Sequence, residues 1–183
     1  MGEEPGSPPS ASRLVAEIRP EVPPDYPSVR AVNLRAFGRS AEARLVDLLR
    51  QRGHAVVSLV AVVAGQVVGH IIFSPVTLDP AENIRAVGLG PMAVLPEHHN
   101  RGIGSQLVVE GLRACRDAAQ DLVVVLGHRG YYPRFGFSRA RDHGLESEYD
   151  APNALMVLEL TPGTLVKVSG VARYPSEFRE MGC

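Results

Sequence analysis

Several residue types are scarce or missing, and each shortage excludes something. Tryptophan is absent and, apart from Lys167, all nineteen basic residues are arginine, a bias of composition that points to no function. The two cysteines, Cys115 and Cys183, are far apart, so neither a disulfide framework nor a zinc-ligand spacing is present. Cys115 falls on the apolar face of an expected helix, where it reads as a core residue rather than a nucleophile. No apolar run reaches the roughly 18 residues of a membrane-spanning helix, and no basic-then-apolar leader opens the sequence. The expectation is a cytoplasmic protein with no membrane partner. A formal net charge of -1, without a basic stripe, gives no footprint for nucleic acid.

With 183 residues, 45% of them hydrophobic, the chain suits one domain of ordinary size. Residues 1–12, rich in Gly, Pro, Ser and Glu, read as a disordered arm because they have little to bury. Order is expected from a short strand over Leu14 to Arg19. Helices follow over Asp25 to Phe37, ended by Gly38, and from a Ser40 cap through Leu49 to Gly53. The β-branched runs Ala55 to Ala64 and Val67 to Val76, separated by Gly65-Gln66, form an antiparallel hairpin, with Val68, His70, Ile72 and Ser74 on one face of the second strand. After a turn over Asp79 to Asn83 comes a central strand, Ile84 to Leu95. Two glycines precede Pro91 inside it, and proline cannot donate to a ladder, so a bulge or a parting of strands is expected there.

A long helix over Gly102 to Ala119 and a buried strand over Asp121 to Leu126 complete a strand-helix-strand crossover. Its two strands should be parallel neighbours, with a ligand where their carboxyl ends separate. A turn over Tyr131 to Phe135, a strand near Gly136 to Ala140, a polar loop through Asp150 and a last sheet strand over Ala154 to Leu160 follow. Residues 161–183 are too apolar for a free tail and should pack on the domain, 13–160, or on the second subunit of a homodimer.

The stretch from Gly88 to Gln106 organises the rest. Its strand runs through a polar loop into Gly102, Gly104 and Ser105 at the start of the long helix. First-turn amides there lack intrahelical partners and lie at the positive end of the helix dipole, so Arg101 to Ser105 suit a pyrophosphate without needing lysine. The pattern Val94-x-Pro96-Glu97-x-x-x-Arg101-Gly102-Ile103-Gly104-Ser105-x-Leu107 resembles the acetyl-CoA signature of the GNAT family of N-acetyltransferases. Some thirty residues on, Tyr132-Pro133-Arg134-Phe135-Gly136-Phe137 is similar to that family's Tyr-x-x-x-Gly-Phe segment.

The resemblance implies an α/β fold: a mixed, mostly antiparallel twisted sheet of six to seven strands, with a central parallel pair splayed around CoA and about four flanking helices. It implies an acyltransferase that moves acetyl from acetyl-CoA, as cosubstrate and without a metal, to a primary amine by direct attack in a ternary complex. Asn100, Arg101, Gly102, Ile103, Gly104 and Ser105 would hold the pyrophosphate. Met92, Ala93 and Val94 would pair with pantetheine and polarise the thioester. Tyr132 matches the family's general acid, with the adjacent Tyr131, facing elsewhere, as second choice.

Three departures from the family pattern stand out. His99 and Asn100 replace a glutamine and a glycine of the phosphate loop, although asparagine tolerates the left-handed geometry required. Gly127-His128-Arg129-Gly130 lacks the asparagine common after the fifth strand. The central strand carries no glutamate to act as general base, which leaves His70 as the candidate if its face meets the cleft. The missing base keeps open a different class, a non-catalytic acyl-CoA-binding or regulatory module. A nucleotide-phosphate binder fits poorly, because the Gly-x-x-x-x-Gly-Lys-Ser/Thr pattern is absent. The acceptor amine is barely encoded: Glu146, Glu148 and Asp150 could draw a cation, or be a solvated loop.

Overall fold

The computed structural model describes residues 15–80, 83–149 and 154–183; the expected arm over 1–12 and Asp150 lie outside them. In chain order the elements are β1 (Glu17–Pro20), α1 (Tyr26–Phe37), α2 (Ala41–Gln51), β2 (Val57–Val63), β3 (Gln66–Pro80), β4 (Ala86–Val94), α3 (Ile103–Asp117), β5 (Leu122–Leu126), β6 (Ser138–Arg139), β7 (Leu145–Ser147), β8 (Leu155–Glu159), β9 (Gly170–Arg173) and α4 (Ser176–Met181). Seven strands run β1-β2-β3-β4-β5-β8-β6, and β7 and β9 extend the sheet where β9 pairs the far end of β3. β4 and β5 are the parallel neighbours at its centre, and every other pair along that seven-strand path is antiparallel.

The sheet is covered on both faces, which is why its central strands read as near-continuous apolar runs. On one face Leu107, Val108, Leu112 and Cys115 of α3 pack over Ile71, Phe73, Val87 and Val123. On the other, Val29 of α1 and Leu45, Val46 and Leu49 of α2 meet Val60, Ile72 and Val124. Each such side chain contributes about 1.5–3 kcal/mol on burial. Val68 departs from the expected face. The β2–β3 register steps from Val62↔Val67 to Ala61↔Gly69, which makes Val68 the extra residue of a bulge and sends it to the α3 side.

Ser40 occupies the N-cap position of α2 but makes no side-chain cap; Glu42 in the first turn is held instead by Arg39. β3 runs beyond its expected end, to Pro80, because Thr77 to Pro80 pair with Gly170 to Arg173, a partner some ninety residues away. Within the expected polar loop before β8, Leu145 to Ser147 form β7 alongside β9. The C-terminal segment is thus sewn into the sheet, and α4 buries Phe178 against the α2 side of the core.

Gly111 shows how closely α3 approaches the sheet. A Cβ built there would stand 2.5 Å from Cε2 and 2.8 Å from Cζ of Phe73, whose ring is fully buried. Alanine is worth about 1 kcal/mol over glycine in an open helix, whereas overpacking costs typically 1–3 kcal/mol. Gly111→Ala is therefore expected to destabilise the fold by about 1 kcal/mol or more in urea unfolding. A gain in stability would show that α3 is free to lift away.

Candidate active site

The site begins where β4 and β5 part. Their ladder consists of Ala86↔Leu122, Val87↔Val123 and Gly88↔Val124, and stops there. Its amino end is fastened by Asp121, whose backbone N–H donates to the Arg85 carbonyl at 2.8 Å while its carboxylate accepts from the Arg85 N–H at 3.0 Å. That contact, with Thr161 and the Arg85 guanidinium, holds the Asp121 carboxyl below its usual range. Beyond Gly88, the β4 register against β3 skips from Phe73↔Leu89 to Ile71↔Met92, so Gly90 and Pro91 form a bulge. Gly90 takes φ +145, a conformation side chains rarely adopt. From Leu89 to Val94 the strand stays paired to β3 but turns an unladdered edge toward the gap.

The amino end of α3 looks across the same gap. Gly102 is its N-cap at φ +83 and supplies no side chain, so the first-turn amides carry no cap. Asn100 adopts φ +59, the left-handed conformation required of the residue that stands where the family uses glycine. A cavity of about 490 Å³ lies between this loop and β4, lined by Met92, Ala93, Val94, Asn100, Gly102, Ile103, Gly104 and Ser105. Of the phosphate-loop residues singled out from sequence, Arg101 alone is not on its wall. His98, His99 and Arg134, which the sequence pattern did not mark as ligand contacts, also line it, as does Tyr131, the second choice for general acid. The His99 Nε2–H donates to the Val94 carbonyl at 2.8 Å and so anchors the loop to the strand edge.

Tyr131 does not face away. It lines this cavity with its hydroxyl 3.4 Å from Ser105 Oγ and the Arg134 guanidinium 4.6 Å from its ring centre. A second cavity of about 830 Å³ adjoins the first and shares Met92, His99, Asn100 and Tyr131 with it. Tyr132 lines only the second. Its ring stands at right angles to Tyr131, centroids 5.2 Å apart, and fits against Gly127, where any Cβ would overlap it. Burial, then its neighbour Tyr131, pushes the Tyr132 hydroxyl up to about 12, so near neutral pH it keeps the proton a general acid must supply.

His70 is not brought to the cleft. It is wholly buried on the α1 side of β3, and neither cavity includes it. Asn33 Nδ2 donates to its Nδ1 at 3.4 Å, its Nε2–H donates to Ser58 Oγ at 3.0 Å, and Ser58 donates to Glu21, which pairs with Arg50. Both ring nitrogens are occupied, and burial followed by the Arg50 charge lowers its pKa to about 3. The imidazole is a neutral structural link with no route to an acceptor. Strand alternation could place it on a face, but not say which helices cover that face.

Cys115 is buried in the α3 core with its thiol pushed up to about 12, mainly by burial, which removes it as a nucleophile. Glu148 is also committed: it accepts from the Tyr174 N–H at 2.6 Å and from Arg179 at 2.8 Å, while Glu146 is the exposed residue of β7. Among the described residues no group of three His, Cys, Asp or Glu could hold a metal ion, and no helix is long and apolar enough to cross a membrane.

A family model for the acetyltransferase (GNAT) domain matches residues 54–139, spanning both cavities' shared elements. The Escherichia coli K12 protein called uncharacterized N-acetyltransferase YhbS is 37% identical over 163 residues, covering 88% of this chain and 97% of that one. The chain belongs to the GNAT family of N-acetyltransferases. This makes it an acyltransferase, with the open sheet and parted parallel pair of that fold. The crystal structure of E. coli YhbS in complex with CoA superposes with a TM-score of 0.86 at 36% identity, over 95% of this chain and 96% of that chain. A GNAT acetyltransferase from Brucella melitensis, in complex with acetyl-CoA, gives a TM-score of 0.75 at 36% identity, over 90% and 98%.

The buried His70 carries a pH signature. Its pKa is about 3 when folded against 6.5 for the free side chain, so the unfolded chain binds a proton that the folded one refuses. The stability from neutral burial is complete above about pH 6.5 and drains away as pH falls toward 3. Between pH 6 and 4, wild-type unfolding free energy should fall by up to about 1.4 kcal/mol per pH unit more steeply than that of His70→Gln. Parallel pH profiles would show that His70 is charged, or exposed, in the folded protein.

Proposed function

We propose that the protein transfers the acetyl group of acetyl-CoA to a primary amine by direct attack within a ternary complex. The observation that carries this reading is the uncapped amino end of α3 facing the unladdered edge of β4 across one cavity. The residues present fit the cosubstrate. Glycines at 102 and 104 let a pyrophosphate approach the amides of the first turn, and Ser105 adds a hydroxyl. The edge from Met92 to Val94 offers the extended backbone that a pantetheine arm can pair with as a strand would. The bound CoA and acetyl-CoA of the two relatives support the same assignment.

Acetyl-CoA supplies a thioester whose carbonyl carbon accepts the amine nitrogen, forming the C–N bond as the C–S bond breaks. A fixed amide of the β4 edge pointed at the carbonyl oxygen contributes about 2.7–4 kcal/mol to the transition state. Tyr132 gives its hydroxyl proton to the leaving sulfur and regains one from the nitrogen through solvent. An acceptor that arrives as an ammonium first loses one proton to water. Tyr132 is buried beside Tyr131 and Phe137, and the low dielectric there strengthens its interactions.

Two measurements test the reading. Calorimetric titration with acetyl-CoA should give micromolar binding that ATP does not match, and binding should vanish in a folded Gly102→Val, Gly104→Val variant. Absence of binding to the intact protein would remove the cosubstrate site. Tyr132→Phe should lower kcat by about 10²-fold or more with acetyl-CoA affinity unchanged. An unaltered kcat would transfer the acid role to Tyr131, whose hydroxyl already lies in the cleft.

A further inference from the structure

The larger cavity has a wall that the cosubstrate does not account for, and its chemistry is lopsided. Away from β4 it is built by Phe37, Leu45, Tyr149, Tyr174 and Phe178. Three of these rings form a continuous surface: Tyr149 and Tyr174 have centroids 6.0 Å apart, and Tyr174 and Phe178 5.0 Å. They come from the loop before β8, the end of β9 and α4, so the C-terminal segment supplies much of the chamber. Tyr174 reaches deep, because Gly88 of β4 has no Cβ to keep its ring away. Its hydroxyl lies beside the Leu126 backbone at the end of β5.

Against this surface stands a single acidic side chain. Glu42 is the one acidic side chain on the cavity wall among the described residues, and it is only 7% exposed. Arg39 grips it with Nε at 2.9 and 3.1 Å from the two carboxylate oxygens and with Nη2 on Oε1. The Arg39 side chain is 59% exposed, so it fixes the carboxylate from the solvent side. A carboxylate has about four acceptor positions, and one guanidinium fork does not fill them.

Resting on the acetyltransferase reading above, we infer that the acceptor is a small monoamine carried on an aromatic or apolar body. Glu42 receives its ammonium, and Tyr149, Tyr174 and Phe178 receive the body. A polyamine or an amino sugar is disfavoured by the same wall. A second cationic centre finds no second acidic side chain there, and a polyhydroxylated body would lose water against the faces of Tyr149, Tyr174 and Phe178, whose ring carbons return no hydrogen bonds. An aromatic or alkyl body is favoured by area. Glu42 acts here as a specificity residue, holding the nitrogen before it turns nucleophile.

The test is a steady-state assay of CoA thiol release by the intact protein at saturating acetyl-CoA, with 2-phenylethylamine, hexylamine, spermidine, glucosamine and a lysine-containing peptide as acceptors. The two apolar monoamines should show kcat/KM at least 10-fold above the other three. Glu42→Gln should raise their KM 10-fold or more with acetyl-CoA affinity by calorimetry unchanged, and Phe178→Ala should narrow the preference. Preference for spermidine, glucosamine or the peptide, or no turnover of either monoamine by protein that binds acetyl-CoA, overturns the inference and leaves the cosubstrate site standing. An unchanged KM in a folded Glu42→Gln variant overturns the role of Glu42. If that variant does not fold, the wild-type acceptor ranking still decides the substrate class. Failure to bind acetyl-CoA at all would instead sink the acetyltransferase reading beneath it.

Discussion

Everything about the site depends on a ladder that stops early. β4 and β5 share three residue pairs and then separate, while the other side of β4 remains bonded to β3. Backbone N–H and C=O groups are strong hydrogen-bonding groups, and burying them unpaired is costly. An unladdered edge in the middle of a sheet is stable only if it faces a cavity that water or a ligand can fill. The bulge at Gly90 and Pro91 and the clamp from Asp121 to Arg85 hold the pair closed at one end and open at the other. The gap is thereby a built feature of the fold.

Small residues determine what may stand beside that gap. Gly127 makes room for the ring of Tyr132, Gly88 for that of Tyr174, and Gly111 lets α3 sit on Phe73. The arrangement couples packing to chemistry: the Tyr132 and Tyr174 rings that line the chamber are positioned by the absence of Cβ atoms at Gly127 and Gly88. The C-terminal segment takes part in this as fully as the central motif. Its strand β9 extends β3, and its residues Tyr174 and Phe178 close the chamber opposite the strand edge.

Polar groups in the interior divide into two kinds. The chain from Asn33 through His70 and Ser58 to Glu21 and Arg50 is linked by hydrogen bonds and an ion pair and holds α1 and α2 to the sheet. Glu42 and Tyr132 are also largely buried, but both lie on the wall of a cavity. The first kind rigidifies the scaffold, and the second can act on a ligand. Burial alone does not separate them; the neighbours do.

Local chemistry made much of this legible in the amino-acid sequence. Glycines and an asparagine before an amphipathic helix, the strand-helix-strand order and Pro91 inside a strand act within a few residues of one another, so the left-handed loop at the start of α3, the parallel pair and its bulge can be read directly. Long-range proximity could not be read that way. β9 pairs with β3 across some ninety residues, Val68 changes faces at a bulge, and the wall of the larger cavity gathers Glu42, Tyr149 and Tyr174 from three distant segments. Strand alternation gave His70 a face, but only the packing of α1 and α2 over it decided that the face is core and the imidazole inert. The sequence by itself determined the glycine-bearing loop before α3 and the order of the elements, because those follow from backbone conformation and periodicity. Which polar side chains look into the cleft was decided by the tertiary structure, because exposure depends on what the rest of the chain lays on top.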